Sequence, residues 1–543
     1  MPRYLHFLFA AVLVPMLMTS PARADAGVPN PSRLQAHMAF LADDLLEGRE
    51  TGTRGYDIAA RYVAAQFMQM GLKPAGDPGS YLQTVPLRGG NVVPNAAVFE
   101  IRRPGGTQAL VSLREFLMGP RLYADDVEVT APLVFVGYGV TAPRFQHDDY
   151  DGIDVRGKMA VWVSGRPKQF PTEEGAHYAS GLTKARLAAR HGAVGWIQLQ
   201  TPEAEKRSPF ARSALSNGQQ VMDWVTADGR GSRELPGMRG SALVSAAAAS
   251  QLFSEVAVSA ADVFTADQAG QPLPRLDLKL SAKLAQSTRR TDLTSANVVG
   301  LIKGSDPVLR NEYVVFTAHL DHLGVRPSIT GDTVLNGALD NASGVATLLE
   351  VARLTVAMTV KPQRSMLFVA VTGEEKGLTG SAYFATLPTV PAAAMVANVN
   401  LDMPNLLIDF NEVVAVGAER SNLKGAAMRA AAATNVTLVP DPWPEQGVFT
   451  RSDHYSFVQQ GVPSIWIAVG TGSFDPTEDG RKSREAFRRE HYHRASDDMK
   501  LPFNWGAAVR FTRLNFLLGL EIANAPQRPR WNEGDFFGEL FGK

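Results

Sequence analysis

The segment MLFVAVTGEE, residues 366–375, is an apolar run that leads directly into two adjacent glutamates. Its first six residues predict a buried strand, because a strand covered on both faces does not alternate apolar with polar side chains. Only Thr372 and Gly373 separate this run from Glu374 and Glu375. An unpaired carboxylate is costly to remove from water, so two of them at the end of a buried strand indicate a role for their charge.

Further histidine and carboxylate side chains follow apolar runs or lie in short loops of the same half of the chain. They are His319, Asp340, Asp402 and His493. The carboxyl ends of parallel strands lie at one edge of an open α/β sheet, so these groups predict a common site. Imidazole and carboxylate donors suit zinc.

Strand and helix patterns alternate from about residue 293 onward. The strands are predicted at 313–318, 365–371, 396–401, 413–416 and 462–468, and the helices at 342–358 and 421–434. This order predicts an α/β fold with a mostly parallel sheet sandwiched by helices. Residues 30–75 have helical spacing of apolar residues, and residues 95–290 carry short β-like runs.

Composition excludes several classes of function. The 543 residues contain 54 Lys and Arg and 54 Asp and Glu, so the formal net charge is zero. Nothing in this balance favours nucleic acid or an anionic membrane surface as a partner. The chain has no cysteine. Thiol nucleophiles, disulfides and cysteine-bound metals are therefore excluded, and any metal must use His, Asp and Glu.

The N-terminus has the pattern of a signal peptide. Arg3 precedes an apolar run over 5–18, and Ala22-Arg23-Ala24 fits the small-residue rule for cleavage. The run is too short to span a bilayer comfortably, and no later segment reaches the length needed. We expect an exported protein, periplasmic or extracellular after cleavage near Ala24, without stable membrane insertion.

The acidic and histidine residues are sufficient for two neighbouring metal sites. Two metals about 3.5–4 Å apart need one bridging carboxylate and further ligands on each side. Asp340 is the natural bridge, with His319 and Asp402 on one side and Glu375 and His493 on the other. Each metal then keeps an open position, which is typical of a catalytic site.

The adjacent glutamates can divide two tasks between them. Consecutive side chains of an extended segment point in opposite directions. One carboxylate can therefore bind a metal while its neighbour takes a proton from water as a general base. Asp321, two residues after His319, is placed to hold the imidazole in position.

Six motifs, in this order along the chain, resemble those of the zinc peptidase family M28. They are AHLDHLG (318–324), NGALDNASG (336–344), TGEEKG (372–377), NLDM (400–403), SDH (452–454) and YHRASD (492–497). The resemblance implies one set of metal ligands, His319, Asp340, Glu375, Asp402 and His493. It also implies Glu374 as general base and Asp321 as the orienting aspartate. The last motif departs from the family at Arg494-Ala495, where Thr-Pro is usual.

Other segments resemble a protease-associated (PA) domain inserted in such a peptidase. They are VFVGYGV (134–140), DDY (148–150), RGK (156–158) and HGA (191–193). The resulting division has a signal peptide (1–24), an N-terminal part of the peptidase domain (25–125), a β-rich PA-like insert (126–290), a metallopeptidase catalytic domain (291–525) and a C-terminal tail (526–543).

The resemblance implies a secreted two-zinc aminopeptidase that removes N-terminal residues from peptides with metal-activated water. Cobalt or manganese could substitute for zinc. Three alternatives share the fold: a carboxypeptidase acting on acidic dipeptides, a one-zinc glutaminyl cyclase, and a binding module without catalysis. Arg451 and Arg494 leave the carboxypeptidase alternative open, because arginine binds a terminal carboxylate well. The complete ligand set weighs against the other two.

Overall fold

The computed structural model describes residues 27–327 and 330–542. All 24 positions of the predicted signal peptide lie outside these residues. The strands are β1 (Lys73–Pro74), β2 (Leu82–Val92), β3 (Val98–Arg103), β4 (Gly106–Ala109), β5 (Phe116–Leu117), β6 (Asp126–Val136), β7 (Thr141–Ala142), β8 (His147–Asp148), β9 (Met159–Val163), β10 (Gly195–Leu199), β11 (Val221–Trp224), β12 (Gly240–Val244), β13 (Arg275–Ile302), β14 (Tyr313–His319), β15 (Gly324–Val325), β16 (Val334–Leu335), β17 (Ser365–Val371), β18 (Met395–Asn400), β19 (Glu412–Val416), β20 (Thr437–Leu438) and β21 (Ser464–Val469).

The α-helices alternate with these strands in the second half of the chain. They are α1 (Pro31–Leu41), α2 (Arg54–Met70), α3 (Thr172–Ala179), α4 (Gly181–Arg190), α5 (Pro202–Arg207), α6 (Phe210–Ser216), α7 (Ala260–Gln268), α8 (Ser343–Ala357), α9 (Thr379–Thr386), α10 (Leu423–Ala433), α11 (His454–Val458), α12 (Gly480–Glu490), α13 (Trp505–Ala523) and α14 (Phe536–Phe541). Helix α14 lies in the segment assigned to the C-terminal tail, and it buries Phe536 and Phe537.

The first sheet carries the site and has a parallel centre. Its order is β11-β2-β13-β17-β14-β18-β21-β19-β20, with β1 also pairing with β13. Strands β17, β14, β18 and β21 run parallel to one another, and β20 runs parallel to β19. The remaining pairs, among them β13 with β17 and β19 with β21, are antiparallel. The fold-class prediction of a mostly parallel sheet flanked by helices is confirmed.

Alternate residues of the central strands face different layers of helices. Phe368 packs in the larger core formed with α1, α2, α8, α10 and α13. Leu367 and Val369 pack on the opposite face with Phe384 of α9 and Phe457 of α11. All seven residues of β17 are buried, as expected for a strand covered on both faces.

A second sheet has the order β4-β3-β13-β6-β9-β10-β12-β5. The 28-residue strand β13 belongs to both sheets: its first half pairs with β3 and β6, and its second half with β2 and β17. Strands β3, β4 and β5, which precede residue 126, thus join the second sheet, and β11, from within 126–290, joins the first. The division of the chain into an insert and a peptidase part stays a proposal.

Within the two described ranges, no helix combines the length and the apolar character that crossing a membrane would require.

Candidate metal centre

The parallel strands bring the predicted site residues to one edge of the first sheet. His319 is the last residue of β14, and Asp402 follows β18 by two positions. Glu374 and Glu375 follow β17, and Asp340 lies in the turn that leads into α8. The strand ends are neighbours because β14 lies between β17 and β18. The sheet edge predicted from sequence therefore carries the site.

One cluster consists of His319, Asp340 and Asp402. The His319 Nε2 atom lies 3.2 Å from Asp340 Oδ1 and 3.5 Å from Asp402 Oδ1. One donor atom from each of the three residues lies within 4.8 Å of the others. This is a spacing that a single metal ion could bridge.

A second cluster shares Asp340 and adds Glu375, His493 and His322. The His493 Nε2 atom lies 3.3 Å from Asp340 Oδ2 and 3.5 Å from Glu375 Oε2. His322 Nδ1 lies 2.9 Å from Glu375 Oε1 and 4.0 Å from Asp340 Oδ2. The two oxygens of Asp340 therefore face different clusters, which is the geometry expected of a bridging ligand.

His322 is a site residue that the sequence prediction missed. Its side chain is completely buried, and its imidazole forms a potential metal-binding group with Asp340 and Glu375. The available signal was its position in the motif AHLDHLG, three residues after His319. That spacing alone does not say into which cluster the ring points.

Several buried nitrogen and oxygen atoms of these clusters form no hydrogen bond of suitable geometry with the described residues, although His322 Nδ1 and Glu375 Oε1 lie only 2.9 Å apart. They are both ring nitrogens of His322, Glu375 Oε1 and Asp402 Oδ1. A buried polar atom left unpaired is costly, and native proteins rarely tolerate one without a ligand, water or ion. Imidazole nitrogens and carboxylate oxygens converging without partners fit a divalent metal such as zinc.

Asp340 and Glu374 experience opposite electrostatic environments. Burial acts to raise the pKa of Asp340, but hydrogen bonds with His319 and His493 outweigh it and hold that pKa well below its usual range. Burial raises the pKa of Glu374 well above its usual range, and the neighbouring charge of Glu375 adds to this against the attraction of His319. Asp340 is thus held ionised, whereas Glu374 has a raised affinity for a proton.

Asp321 contacts the site in a way that differs from the prediction. The atom 3.1 Å from His319 Nδ1 is the main-chain carbonyl oxygen of Asp321, not its carboxylate. The carboxylate instead accepts hydrogen bonds from the main-chain N–H groups of Glu374, at 3.0 Å, and Glu375, at 3.2 Å. The hydroxyl of Thr51 donates a third, at 3.1 Å. Asp321 therefore positions both the imidazole of His319 and the loop that carries Glu374 and Glu375, which we call the glutamate loop.

Two further residues hold the turn that contains Asp340. The carboxylate of Asp497 accepts hydrogen bonds from the N–H groups of Leu339, at 2.8 Å, and Asp340, at 3.0 Å. Arg49 is fully buried and donates to the carbonyl oxygens of Leu320, at 2.9 Å, and Asn336, at 2.6 Å. Asp497 is the last residue of the motif YHRASD, whereas Arg49 lies in none of the six motifs.

The site opens into a pocket with mixed walls. Apolar and aromatic side chains form part of them, namely Met403, Val448, Trp466, Phe487 and Tyr492. Three arginines, Arg451, Arg484 and Arg488, also line the pocket. Arg494, which the sequence suggested as a carboxylate ligand, lies instead in a separate depression with His491 and Asp498.

Fold and site together define a mixed α/β protein with a histidine–carboxylate centre at the carboxyl ends of its parallel strands. The sequence model described as peptidase family M28 matches residues 297–518 of this chain. The match contains both clusters.

Curated relatives agree over shorter stretches. A "Probable zinc metalloprotease" of Pyrenophora teres f. teres is 38% identical over 108 residues, which is 20% of this chain and 22% of the relative. "Aminopeptidase YwaD" of Bacillus subtilis is 33% identical over 114 residues, 21% of this chain and 22% of the relative. The aligned part thus spans only about a fifth of the length of these relatives.

A solved structure, described as an aminopeptidase from Aneurinibacillus sp. strain AM-1, is similar over almost the whole fold. The similarity covers 94% of this chain and 97% of that one, with a TM-score of 0.52 and 19% identity. At this identity the similarity shows a shared fold.

Proposed function

We propose that this chain is an exported zinc metallo-exopeptidase with two metal sites, acting as an aminopeptidase. The observation that carries the proposal is the placement of Asp340, whose Oδ1 faces His319 and whose Oδ2 faces His493. The M28 match over residues 297–518 and the zinc peptidases among the relatives support the same reaction class.

The proposed ligands form two sets around Asp340. His319 and Asp402 complete one set, while Glu375 and His493 complete the other. His322 is close enough to Glu375 to serve as an additional ligand or to hold its carboxylate in place. Zinc bound there would supply Lewis-acid activation of water and of the substrate carbonyl.

Glu374 is the proposed general base. It lines the pocket beside His319, Asp340 and Asp402, and its raised pKa suits a group that must accept a proton. Its carboxylate would take a proton from the attacking water and pass it to the nitrogen of the departing amine. Asp321 keeps the main chain of Glu374 fixed during this transfer.

The carboxypeptidase alternative gains one specific observation. Arg451, Arg484 and Arg488 line the pocket with the proposed ligands, so a terminal carboxylate has candidate partners there.

The segment 126–290 remains a proposed PA-like insert. It contacts the site region through Arg233, whose Nη2 donates to the carbonyl oxygen of Gly377 at 2.6 Å.

Metal analysis combined with end-blocked peptides tests the proposal. The purified full chain is analysed for zinc, and cleavage of one peptide is compared with that of its N-acetylated and C-terminally amidated forms. We expect up to two zinc ions per chain, loss of cleavage on acetylation, and little change on amidation. The reverse pattern would favour a carboxypeptidase, and no cleavage of any form by the zinc-loaded chain would contradict a peptidase.

A further inference from the structure

One wall of the metal pocket is built from a helix and a short segment that contribute no proposed metal ligand. Helix α12 contributes Arg484 and Arg488, which are four residues apart and therefore lie on the same face of the helix. Arg451, which directly follows the segment Val448–Thr450, lines the same pocket. We call Arg451, Arg484 and Arg488 the arginine wall.

No carboxylate oxygen of the described residues lies within 4 Å of these three guanidinium groups. Arg484 donates to Gln446 Oε1 at 3.3 Å and lies 4.0 Å from the centre of the Trp443 ring. Arg488 lies 5.6 Å from the ring centre of Tyr492. Other arginines of the chain do have carboxylate partners: Arg489, next in α12, lies 2.6 Å from Glu490.

The missing partners matter because two of these side chains, Arg484 and Arg488, are partly withdrawn from water. Burial lowers the pKa of Arg484 to about 10, and the neighbouring charge of Arg488 adds to this effect. Burial also lowers the pKa of Arg488, and the charge of Arg451 lowers it further. Arg484 and Arg488 both remain charged at neutral pH. Like charges that are partly buried without counter-ions are unfavourable, so this arrangement favours an anion that arrives from outside the protein.

The acidic residues of the metal centre do not fill this role. Asp340 and Asp402 attract Arg488, but only from beyond ion-pair distance. Their carboxylates face His319 instead, at 3.2 and 3.5 Å. The arginine wall therefore stays available to a bound molecule.

The rest of the pocket indicates what kind of anion fits. Val448, Trp466 and Phe487 line the same space and can contact aliphatic carbon atoms. The planar fork of arginine matches the two oxygens of a carboxylate. A carboxylate on a short aliphatic chain, placed beside the scissile bond, satisfies both surfaces.

We propose that the arginine wall binds a carboxylate group of the peptide substrate, so that the pocket selects acidic substrates. The carboxylate could be the side chain of an N-terminal aspartate or glutamate, or the terminal carboxylate of a short peptide. The inference rests on the proposed peptidase function and adds its substrate class.

Matched neutral and acidic substrates separate the two sources. The zinc-loaded full chain is assayed with the p-nitroanilides of glutamate and glutamine, which lack a terminal carboxylate, and with Leu-Gly and Leu-Gly-amide. We expect kcat/KM to favour the acidic member of at least one pair by about tenfold or more, as charge-assisted hydrogen bonds would give. A preference in the first pair identifies the side chain, and one in the second pair identifies the chain end.

Variants link the preference to the arginine wall. Arg484→Gln and Arg488→Gln should each reduce the acidic-to-neutral ratio severalfold, and Arg451→Gln tests the exposed member without disturbing buried packing. Arg489→Gln, on the same helix but exposed and ion-paired, is the control and should keep the wild-type ratio. Ratios near one in both wild-type pairs, or ratios unchanged in all three variants, would overturn the proposal.

A binding measurement distinguishes failure of this inference from failure of the peptidase function. Inhibition of leucine p-nitroanilide cleavage, or calorimetric binding when cleavage is absent, is measured with glutarate and with its monoamide. Tighter binding of glutarate that is lost in Arg488→Gln supports the arginine wall even if no peptide is cleaved. Cleavage of neutral peptides with equal binding of the two probes rejects it and leaves the peptidase function intact.

Discussion

The carboxylate of Asp321 accepts a hydrogen bond of 3.0 Å from the main-chain N–H of Glu374. The main-chain carbonyl of the same aspartate lies 3.1 Å from His319 Nδ1. One buried residue thus fixes a proposed metal ligand and the proposed general base relative to each other. Proton transfer at the site depends on the distance between the proposed ligand His319 and the proposed base Glu374.

Asp321→Asn should loosen this connection. An amide side chain turns one acceptor oxygen into a donor, so one of the N–H groups of Glu374 and Glu375 would lose its partner, at a cost of about 1–3 kcal/mol. We expect a lower free energy of unfolding in denaturant and a fall in kcat with zinc still bound. Thr51→Val, which removes only the third hydrogen bond to Asp321, should have a smaller effect. Wild-type kcat in Asp321→Asn would show that the contact does not position Glu374.

Glu374→Gln should abolish proton transfer while keeping the metal sites. The side chain keeps its size and is not among the proposed ligands, so metal content and thermal stability should stay at wild-type levels. The contribution of a general base predicts a fall in kcat of about 10²–10⁴-fold. Glu375→Gln is the matched comparison and should instead lower zinc content. Near-normal turnover in Glu374→Gln would mean that the roles within the pair are assigned wrongly.

His322→Gln should weaken the cluster that contains Glu375 and His493. Loss of a ligand, or of the group that orients one, commonly lowers metal affinity about 10–100-fold. Titration of the metal-free protein with zinc should show one weakened site and one unchanged site. His491→Gln is a suitable control because His491 contacts Ser496 and lines a separate depression. Two unchanged zinc affinities would mean that His322 has no role at the centre.

Stability should decrease in mildly acidic solution because of His177. Burial lowers the pKa of this imidazole to about 4, with the charge of Arg186 contributing, against about 6.5 in the unfolded chain. The folded state therefore favours the neutral ring, and its stabilising contribution is complete above pH 6.5 and is lost as the pH falls toward 4. The loss approaches about 3 kcal/mol.

Urea unfolding between pH 7 and 4 measures this effect. His177→Gln should flatten the dependence of unfolding free energy on pH. Tyr455→Phe removes the hydroxyl 2.6 Å from His177 Nδ1 but leaves the ring buried, so it should keep the slope of the wild type. Equal slopes for wild type and His177→Gln would assign the acid sensitivity to other groups.

Local sequence determined much of the sheet and the chemical character of its site. The predicted strand 365–371 coincides with β17, and the predicted helix 342–358 differs from α8 by one residue at each end. These predictions succeeded because burial on both faces of a strand and the helical repeat leave periodic signals within a few residues. The five ligands named from sequence lie together because each follows a strand end or lies in a short loop at the same sheet edge.

Tertiary structure decided the contacts between distant segments. The motif AHLDHLG contains His322, but only the packing of the glutamate loop places its ring beside Glu375. The sequence placed Asp321 near His319, yet which of its oxygens meets the imidazole depends on where the main chain of Glu374 lies. Helix α12 carries no local signal that its arginines line one pocket with His319 and Asp402, because those two residues precede Arg484 by more than 80 positions in sequence. Residue types and local spacing fix the donors available, whereas side-chain direction and long-range packing decide which donors converge.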